Sequence, residues 1–208
     1  MGNRAVITTM KEWKTGGIGV YLHWNGGRDS VEAFVEYCRL KGYRAPDSDC
    51  YGWARLCQVI GNFFGGTTSV GIDRLWFLDR DNGDNGVYLL DGWDIVDRLY
   101  FEGNEQQEYD RKEMLKEIDR RMPEEERIGA DFFNNDPVPA ASLQEGDKVY
   151  VRDYTGEYTV ETVQGIGEGI VNGTDVTGVP YVCKWSISDP ARNINNYLMN
   201  ETYVPCYK

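Results

Sequence analysis

Two short segments at the beginning of the chain are rich in apolar and β-branched residues. They are residues 4–10 (RAVITTM) and 18–24 (IGVYLHW), and this composition is typical of strands. The intervening residues 14–17 (KTGG) are rich in turn-forming types. The pattern predicts two strands joined by a turn, and residues 25–27 (NGG) end the second strand.

Helical periodicity follows over residues 30–41 (SVEAFVEYCRLK). The apolar side chains recur at the spacing i, i+3, i+4 and i+7, which forms one stripe along an amphipathic helix. Asp29 can serve as the N-cap, and Glu32 three residues later completes a capping box. Gly42 supplies the C-terminal stop. These residues predict the first helix and both of its ends.

A second apolar stripe predicts another helix over residues 48–60. The stripe consists of Cys50, Trp53, Ala54, Cys57 and Ile60. Pro46 precedes the segment, and Asp47 or Ser48 can cap it. The glycine-rich residues 61–66 (GNFFGG) are expected to end the helix as a turn.

Two further runs, residues 69–78 and 86–91, have the composition of strands. Between them lie two Asn-Gly pairs, at 82–83 and 85–86. Asparagine and glycine tolerate the positive φ values that tight hairpin turns require. The pattern therefore predicts a hairpin that turns at one of these two pairs.

The same connection is rich in aspartate, which raises the alternative of a calcium loop. An EF-hand loop needs oxygen ligands at positions 1, 3 and 5, glycine at position 6 and glutamate at position 12. A loop that starts at Asp81 has Gly83 at its third position, and a loop that starts at Asp79 has Asp84 at its sixth. An EF-hand is therefore excluded, while a weak and irregular divalent-cation site stays open. The sequence predicts no cofactor.

The third predicted helix spans residues 105–121. Asn104 can cap it with Gln107 as the capping-box partner, and Pro123 stops it. Mixed acidic and basic residues occupy most of its positions, as on a solvated helix face. Its apolar side chains, which lie broadly on one face, are Tyr109, Leu115, Ile118 and Met122.

The character of the chain changes after Pro123. Residues 124–142 have no clear period and contain two prolines, which predicts a linker or connecting arm that Phe132 and Phe133 pin to the main body. Residues 143–208 again show β alternation, although residues 165–169 (GIGEG) are expected to form a turn. The apolar positions of this alternation are Val149, Val151, Tyr158, Val160 and Val163.

Together these elements predict an α+β fold. Residues 1–123 would form a mixed domain with about three helices and an antiparallel sheet, and residues 143–208 a small all-β domain. No apolar run is long enough to cross a membrane, and the first residues lack the apolar region of a signal peptide. The five cysteines then fit reduced thiols in the cytoplasm. A zinc site is disfavoured, because there is a single histidine and no C-x-x-C pair.

The charge narrows the classes of partner. The formal net charge is −12, and residues 73–119 carry 14 acidic and 6 basic side chains, whereas residues 1–72 carry 6 acidic and 8 basic ones. Such a surface repels phosphates, so we expect no direct binding of nucleic acid. It attracts basic protein surfaces and speeds association with them. Solubility alone also explains the charge, and the sequence leaves both explanations open.

One cysteine lies in a pattern that suggests catalysis. Residues 49–53 (DCYGW) resemble the nucleophile segment of NlpC-type cysteine peptidases, in which a helix N-terminus favours the thiolate. In that family the histidine follows the cysteine, whereas the single histidine here, His23, precedes Cys50. The resemblance therefore implies a circularly permuted arrangement. A buried core thiol and a structural histidine are the competing interpretations.

The acidic segment 79–102 is the predicted partner-binding region. Its carboxylates surround aromatic residues, and aromatic anchors within a polar rim are typical of protein interfaces. The predicted contact residues are Asp79, Asp81, Asp84, Tyr88, Asp91, Trp93, Asp94, Asp97 and Glu102.

The segments MGNRAVIT and VYLHWNGG, followed by a helix, resemble small acidic proteins of phages and mobile elements in Gram-positive bacteria. Some of those proteins are anti-CRISPR or other anti-defence inhibitors. The resemblance implies a non-enzymatic inhibitor in the cytoplasm of a bacterial host. Its partner would be a basic surface of a nucleic-acid-handling enzyme, for example a nucleic-acid-guided nuclease. The alternative is a cysteine hydrolase that uses Cys50 and His23, and the oligomeric state is left open.

Overall fold

The computed structural model describes residues 2–66, 69–105, 109–153, 157–171, 174–185, 193–199 and 202–206. The chain divides into two units, Met1–Arg127 (unit 1) and Ile128–Lys208 (unit 2). Over the described residues it is a mixed α/β protein with four α-helices and three sheets. This content is consistent with the predicted α+β class.

A five-stranded sheet forms the centre of unit 1. Its strands are β1 (Ala5–Thr9), β2 (Ile18–Leu22), β3 (Val70–Arg74), β4 (Val87–Asp91) and β5 (Asp94–Leu99). They lie in the order β3-β2-β1-β4-β5, with β1 and β4 parallel and the other neighbours antiparallel. The sheet is therefore mixed, and the predicted antiparallel sheet is wrong in this respect. Every residue of β1 is buried, so both faces of the centre of the sheet are covered.

A short helix, α1 (Met10–Thr15), joins β1 to β2 where the sequence predicts only a turn. The Thr9 hydroxyl caps it by accepting from the Glu12 amide at 3.1 Å. Gly16 ends it in the left-handed conformation, with φ at 69°. Met10 and Trp13 of this helix pack against Val6, Val87 and Leu89 of the sheet. Six residues are too few to show a helical period, which is why the sequence pattern did not reveal α1.

Helix α2 (Arg28–Leu40) confirms the first predicted helix, although its beginning differs. The N-cap is Gly27, which has no capping side chain, and Asp29 lies inside the first turn. The predicted capping box of Asp29 and Glu32 is therefore wrong. Gly42 has φ at 66° and follows the end of the helix, as predicted.

Helix α3 (Cys50–Phe64) corresponds to the second predicted helix but begins and ends later. Asp49 is the N-cap, rather than Asp47 or Ser48, and its carboxylate accepts from the amides of Tyr51 and Gly52. The helix continues through Gly61 and ends at Gly65. Its buried face consists of Gly52, Trp53, Leu56, Val59 and Ile60. Ala54 and Cys50 are exposed, so the predicted stripe was rotated by about one position.

Helix α4 (Arg111–Arg121) is shorter than the third predicted helix. Asp110 caps it by accepting from the Glu113 amide at 2.9 Å. The predicted cap Asn104 lies before the helix, and Gln107 lies outside the described residues. Helix α4 packs on α2, where the Tyr37 hydroxyl donates to the buried Asp119 carboxylate at 2.7 Å. Burial raises the pKa of Tyr37, and the adjacent carboxylate adds to the shift.

The predicted hairpin between β3 and β4 is wrong. Strand β3 pairs with β2 and lies at one edge of the sheet, while β4 lies between β1 and β5. The true hairpin joins β4 to β5 through Gly92 and Trp93, with φ of Gly92 at 61°. The Asn-Gly pairs instead lie in a loop that carries the chain from the edge of the sheet to its centre.

Unit 2 contains a four-stranded antiparallel sheet in the order β10-β9-β8-β7 and a small sheet of β6 and β11. Its strands are β6 (Val138–Pro139), β7 (Lys148–Arg152), β8 (Tyr158–Val171), β9 (Thr174–Trp185), β10 (Asn193–Tyr197) and β11 (Thr202–Tyr203). Its core is formed by Leu143, Val149, Val163, Val182 and Leu198. Val160, one of the apolar positions of the predicted alternation, is exposed.

The predicted turn at residues 165–169 is wrong, because these residues continue strand β8. A Cβ at Gly165 would lie 3.1 Å from the Tyr181 hydroxyl oxygen, and one at Gly167 would lie 3.0 Å from the Tyr197 ring. The glycines therefore leave room for tyrosine rings above the strand. Within the same unit, Phe132 packs 4.7 Å from the Tyr158 ring. No helix among the described residues has the length and apolar character to cross a membrane.

Candidate protein-binding surface

The loop of residues 79–86 is organised by the buried side chain of Asn82. Its Nδ2 donates to the Asp79 carbonyl at 3.1 Å and to the Gly86 carbonyl at 3.4 Å. Its Oδ1 accepts from the Asp84 amide at 3.0 Å and from the Gly86 amide at 3.2 Å. Gly83 and Gly86 both have positive φ. The predicted turn chemistry is therefore present, but it shapes a loop and not a hairpin.

Two further side chains attach this loop to the beginning of β1. The Arg4 Nε donates to the buried Asp84 carboxylate at 2.6 Å, and this hydrogen bond raises the pKa of Arg4. Asn85 Nδ2 donates to Asn3 Oδ1 at 2.7 Å. Asp84 thus has a structural role, and it is not available to a partner in this structure.

The two aromatic residues predicted as anchors also lie in the interior. Tyr88 is fully buried and donates to the Gly26 carbonyl at 3.0 Å, and burial raises its pKa. Trp93 is 8% exposed, and its Nε1 donates to the Tyr43 carbonyl at 2.8 Å. Arg39 donates to the Trp93 carbonyl at 2.6 Å. These contacts attach the β4–β5 hairpin to α2 and its following loop, so neither ring can contact a partner.

Arg98 of β5 is an organising residue that the sequence did not indicate. Its Cζ lies 4.6 Å from the centroid of the Tyr88 ring and 3.5 Å from that of Phe101. Its Nε donates to the Asn85 carbonyl at 2.9 Å, and it forms an ion pair with Glu105. The sequence shows Arg98 only as one of two basic residues in the acidic segment, and its partners are not evident from that pattern.

The other six predicted contact residues are exposed. They are Asp79, Asp81, Asp91, Asp94, Asp97 and Glu102. Asp79 pairs with Arg4 at 3.4 Å and Asp94 with Arg39 at 2.5 Å. In the part of the chain that the structure describes, the remaining four form no ion pair. The structure therefore reduces the predicted acidic surface to four exposed, uncompensated carboxylates.

Several apolar side chains in and near this segment are also exposed. Tyr100 is 45% exposed and Val96, on the edge strand β5, is 51% exposed. Trp76 and Phe77, in the 3-10 helix Leu75–Phe77, are also exposed. Trp76 and Tyr100 are aromatic residues that lie near acids in the sequence, whereas nothing in the sequence distinguished Val96 or Phe77.

The structure does not support a pairing of Cys50 with His23. Cys50 is the exposed first residue of α3, so the interpretation as a buried core thiol is wrong. His23 is exposed just after β2, where its Nδ1 lies in hydrogen-bond contact with the Tyr21 hydroxyl at 3.2 Å. Its ring also packs at 5.0 Å against Trp24. No hydrogen bond joins Cys50 to His23 within the described residues.

Across the described ranges, no three His, Cys, Asp and Glu side chains lie close enough together to hold a metal ion. In the 79–86 loop, Asp84 and Asp79 instead pair with the guanidinium of Arg4.

Comparisons of the chain with protein-family models, with curated proteins and with solved structures found no match.

Proposed function

We propose that this protein is a non-enzymatic inhibitor that binds a basic surface of a nucleic-acid-handling enzyme. One observation carries the proposal: Asp81, Asp91, Asp97 and Glu102 are exposed and lack an ion-pair partner within the described chain. The partner would be a bacterial enzyme such as a nucleic-acid-guided nuclease, met in the cytoplasm of the host.

The chemistry of the four carboxylates supports this class of partner. An exposed carboxylate that is already paired gains little from a second cation, because exposed pairs contribute about 0 to 1 kcal/mol. An uncompensated carboxylate is free to pair with an arginine or lysine of a partner and accelerates association through long-range attraction. A groove that binds nucleic acid presents such cations in number. The exposed side chain of Val96 belongs to the same segment as the charges and adds apolar area to it.

The proposed domain organisation assigns this activity to residues 1–123. Residues 124–142 would connect this domain to a separate, small β-rich domain formed by residues 143–208. Both the acidic segment and the edge strand β5 belong to the first of these domains.

Charge reversal on the β4–β5 hairpin tests the proposal. Asp91→Lys combined with Asp97→Lys replaces two exposed carboxylates that have no ion-pair partner in the described structure. Wild type and variant are immobilised and exposed to a bacterial lysate at physiological ionic strength. We expect one stoichiometric basic partner on the wild type and at least about tenfold less of it on the variant, since like charges at an interface are strongly unfavourable.

A matched control separates the surface from the total charge. Glu145→Lys combined with Asp175→Lys changes the net charge by the same amount at two exposed positions of unit 2. This control is expected to retain the partner. Equal retention by the hairpin variant and the wild type contradicts the proposal, and so does the absence of any stoichiometric partner. A retained nuclease is then assayed for loss of cleavage when the wild-type protein is added.

A further inference from the structure

A cavity of about 290 Å³ lies in unit 1 beside helix α1. Its walls are made by Trp13, Gly16, Leu75, Trp76, Arg80 and Tyr100. Three aromatic rings and one guanidinium therefore face the same space. Arg80 is the single charged residue of this lining.

The wall formed by Trp76 depends on the end of α1. A Cβ at Gly16 would lie 2.5 Å from the Trp76 Nε1, which is closer than two such atoms can approach. Gly16 also has φ at 69°, so this position favours glycine for two reasons. The C-terminal turn of α1 thus lets the indole of Trp76 lie directly over the backbone.

Tyr100 completes the walls from an unusual backbone conformation. Its φ is 56°, a value that aromatic residues rarely adopt and that costs about 1 kcal/mol or more. Its ring packs edge-on against Trp13, with the centroids 6.2 Å apart. The strained residue follows β5 directly and brings a phenol ring to the cavity.

Arg80 is held by aromatic rings. Its Cζ lies 4.9 Å from the centroid of the Trp76 ring and 5.9 Å from that of the Trp13 ring. Aspartates flank it at 79 and 81, yet within the described residues Arg80 forms no ion pair. Asp79 is engaged by Arg4. The guanidinium therefore lies against two indole rings, and among the described residues no carboxylate pairs with its donors.

We infer that this cavity binds a carboxylate carried on a flat apolar group. The guanidinium offers paired N–H donors that match a carboxylate in geometry and charge. The indole and phenol rings offer faces and edges on which a planar apolar group can stack. A second cation would be repelled, because the charged lining is a guanidinium. The proposal does not depend on the acidic surface, since it involves none of the four uncompensated carboxylates.

Benzoate tests the inference with benzamide as its uncharged counterpart. The ¹⁵N-labelled full chain is titrated with each compound at constant ionic strength, and the indole N–H signals are followed by NMR. We expect saturable shifts of the Trp13 and Trp76 signals with benzoate and about tenfold weaker binding of benzamide, the difference that a charge-assisted hydrogen bond produces. The Trp53 signal, from a buried residue of α3 outside the cavity lining, should not move.

Three variants test whether the guanidinium of Arg80 is responsible for the binding of benzoate. Arg80→Gln should bind benzoate about tenfold more weakly, while Arg80→Lys should retain the preference for benzoate over benzamide. Arg74→Gln, at an exposed arginine outside the cavity lining, is the matched control and should bind like the wild type. Equal binding of benzoate and benzamide overturns the inference. Unchanged benzoate binding by Arg80→Gln, or shifts no larger than those caused by chloride, overturns it as well.

Discussion

Asn82 is expected to stabilise unit 1 far more than its position in a loop suggests. The residue is 4% exposed, and its amide group makes four hydrogen bonds to the backbone of residues 79–86. Asn82→Ala removes all four without adding a charge. The amides of Asp84 and Gly86 then lose this acceptor in a buried position.

The magnitude follows from these contacts. A buried donor that loses its acceptor costs about 1–3 kcal/mol, and two donors lose one here. The two hydrogen bonds donated by Nδ2 add smaller losses, because the carbonyls of Asp79 and Gly86 have further lone pairs for water. We expect Asn82→Ala to lower the free energy of unfolding by about 3 kcal/mol, which is a large part of the stability of a typical domain.

Urea denaturation followed by tryptophan fluorescence provides the measurement. Five of the six tryptophans precede residue 128, so the signal reports mainly on unit 1. Asn104→Ala is the control, because Asn104 is exposed and belongs to the same unit. The control should change the free energy of unfolding by less than about 0.5 kcal/mol. If Asn82→Ala is as stable as the control, the loop is not held by its asparagine and the reasoning fails.

Two further predictions concern thiols and tyrosines. Iodoacetamide at about pH 8 should label exposed Cys50 before Cys38 and Cys57, because burial raises the pKa of the latter two thiols; mass spectrometry gives the order. Labelling of Cys50 at about pH 6.5 with a rate far above that of glutathione would instead favour the hydrolase alternative. Burial also raises the pKa of Tyr37 and Tyr88 above the unfolded value of about 10. The stability that these two tyrosines contribute should therefore be fully present below about pH 10 and fall above it by about 1.4 kcal/mol per pH unit for each tyrosine; urea midpoints that stay constant between about pH 10 and 11.5 would contradict this burial.

The local elements of the fold were largely predictable. Apolar stripes identified α2, α3 and α4, because a period of 3.6 residues is visible in any segment of three turns. The boundaries were less accurate, since more than one polar residue before a helix can act as its cap. For α3 the choice among Asp47, Ser48 and Asp49 depends on where the chain enters the helix.

The pairing of the strands was not predictable in the same way. The sequence placed a hairpin at the Asn-Gly pairs, because positive φ and flanking apolar runs are also what a hairpin requires. The structure instead places β4 parallel to β1, which is about 80 positions away in the chain, and uses Gly92 for the hairpin. Such pairing depends on which faces are buried together, and a local pattern does not contain that information.

For the candidate surface, too, the sequence determined some features and the tertiary structure determined others. The sequence by itself determined that residues 79–102 are acidic, that aromatic residues lie among the acids, and that the Asn-Gly pairs bend the chain. Only the tertiary structure decided that Asp84, Tyr88 and Trp93 are internal and that Arg80 lies between two indole rings. The reason is physical: charge and backbone preference belong to each residue, whereas burial and ion pairing depend on groups that folding brings together from distant positions.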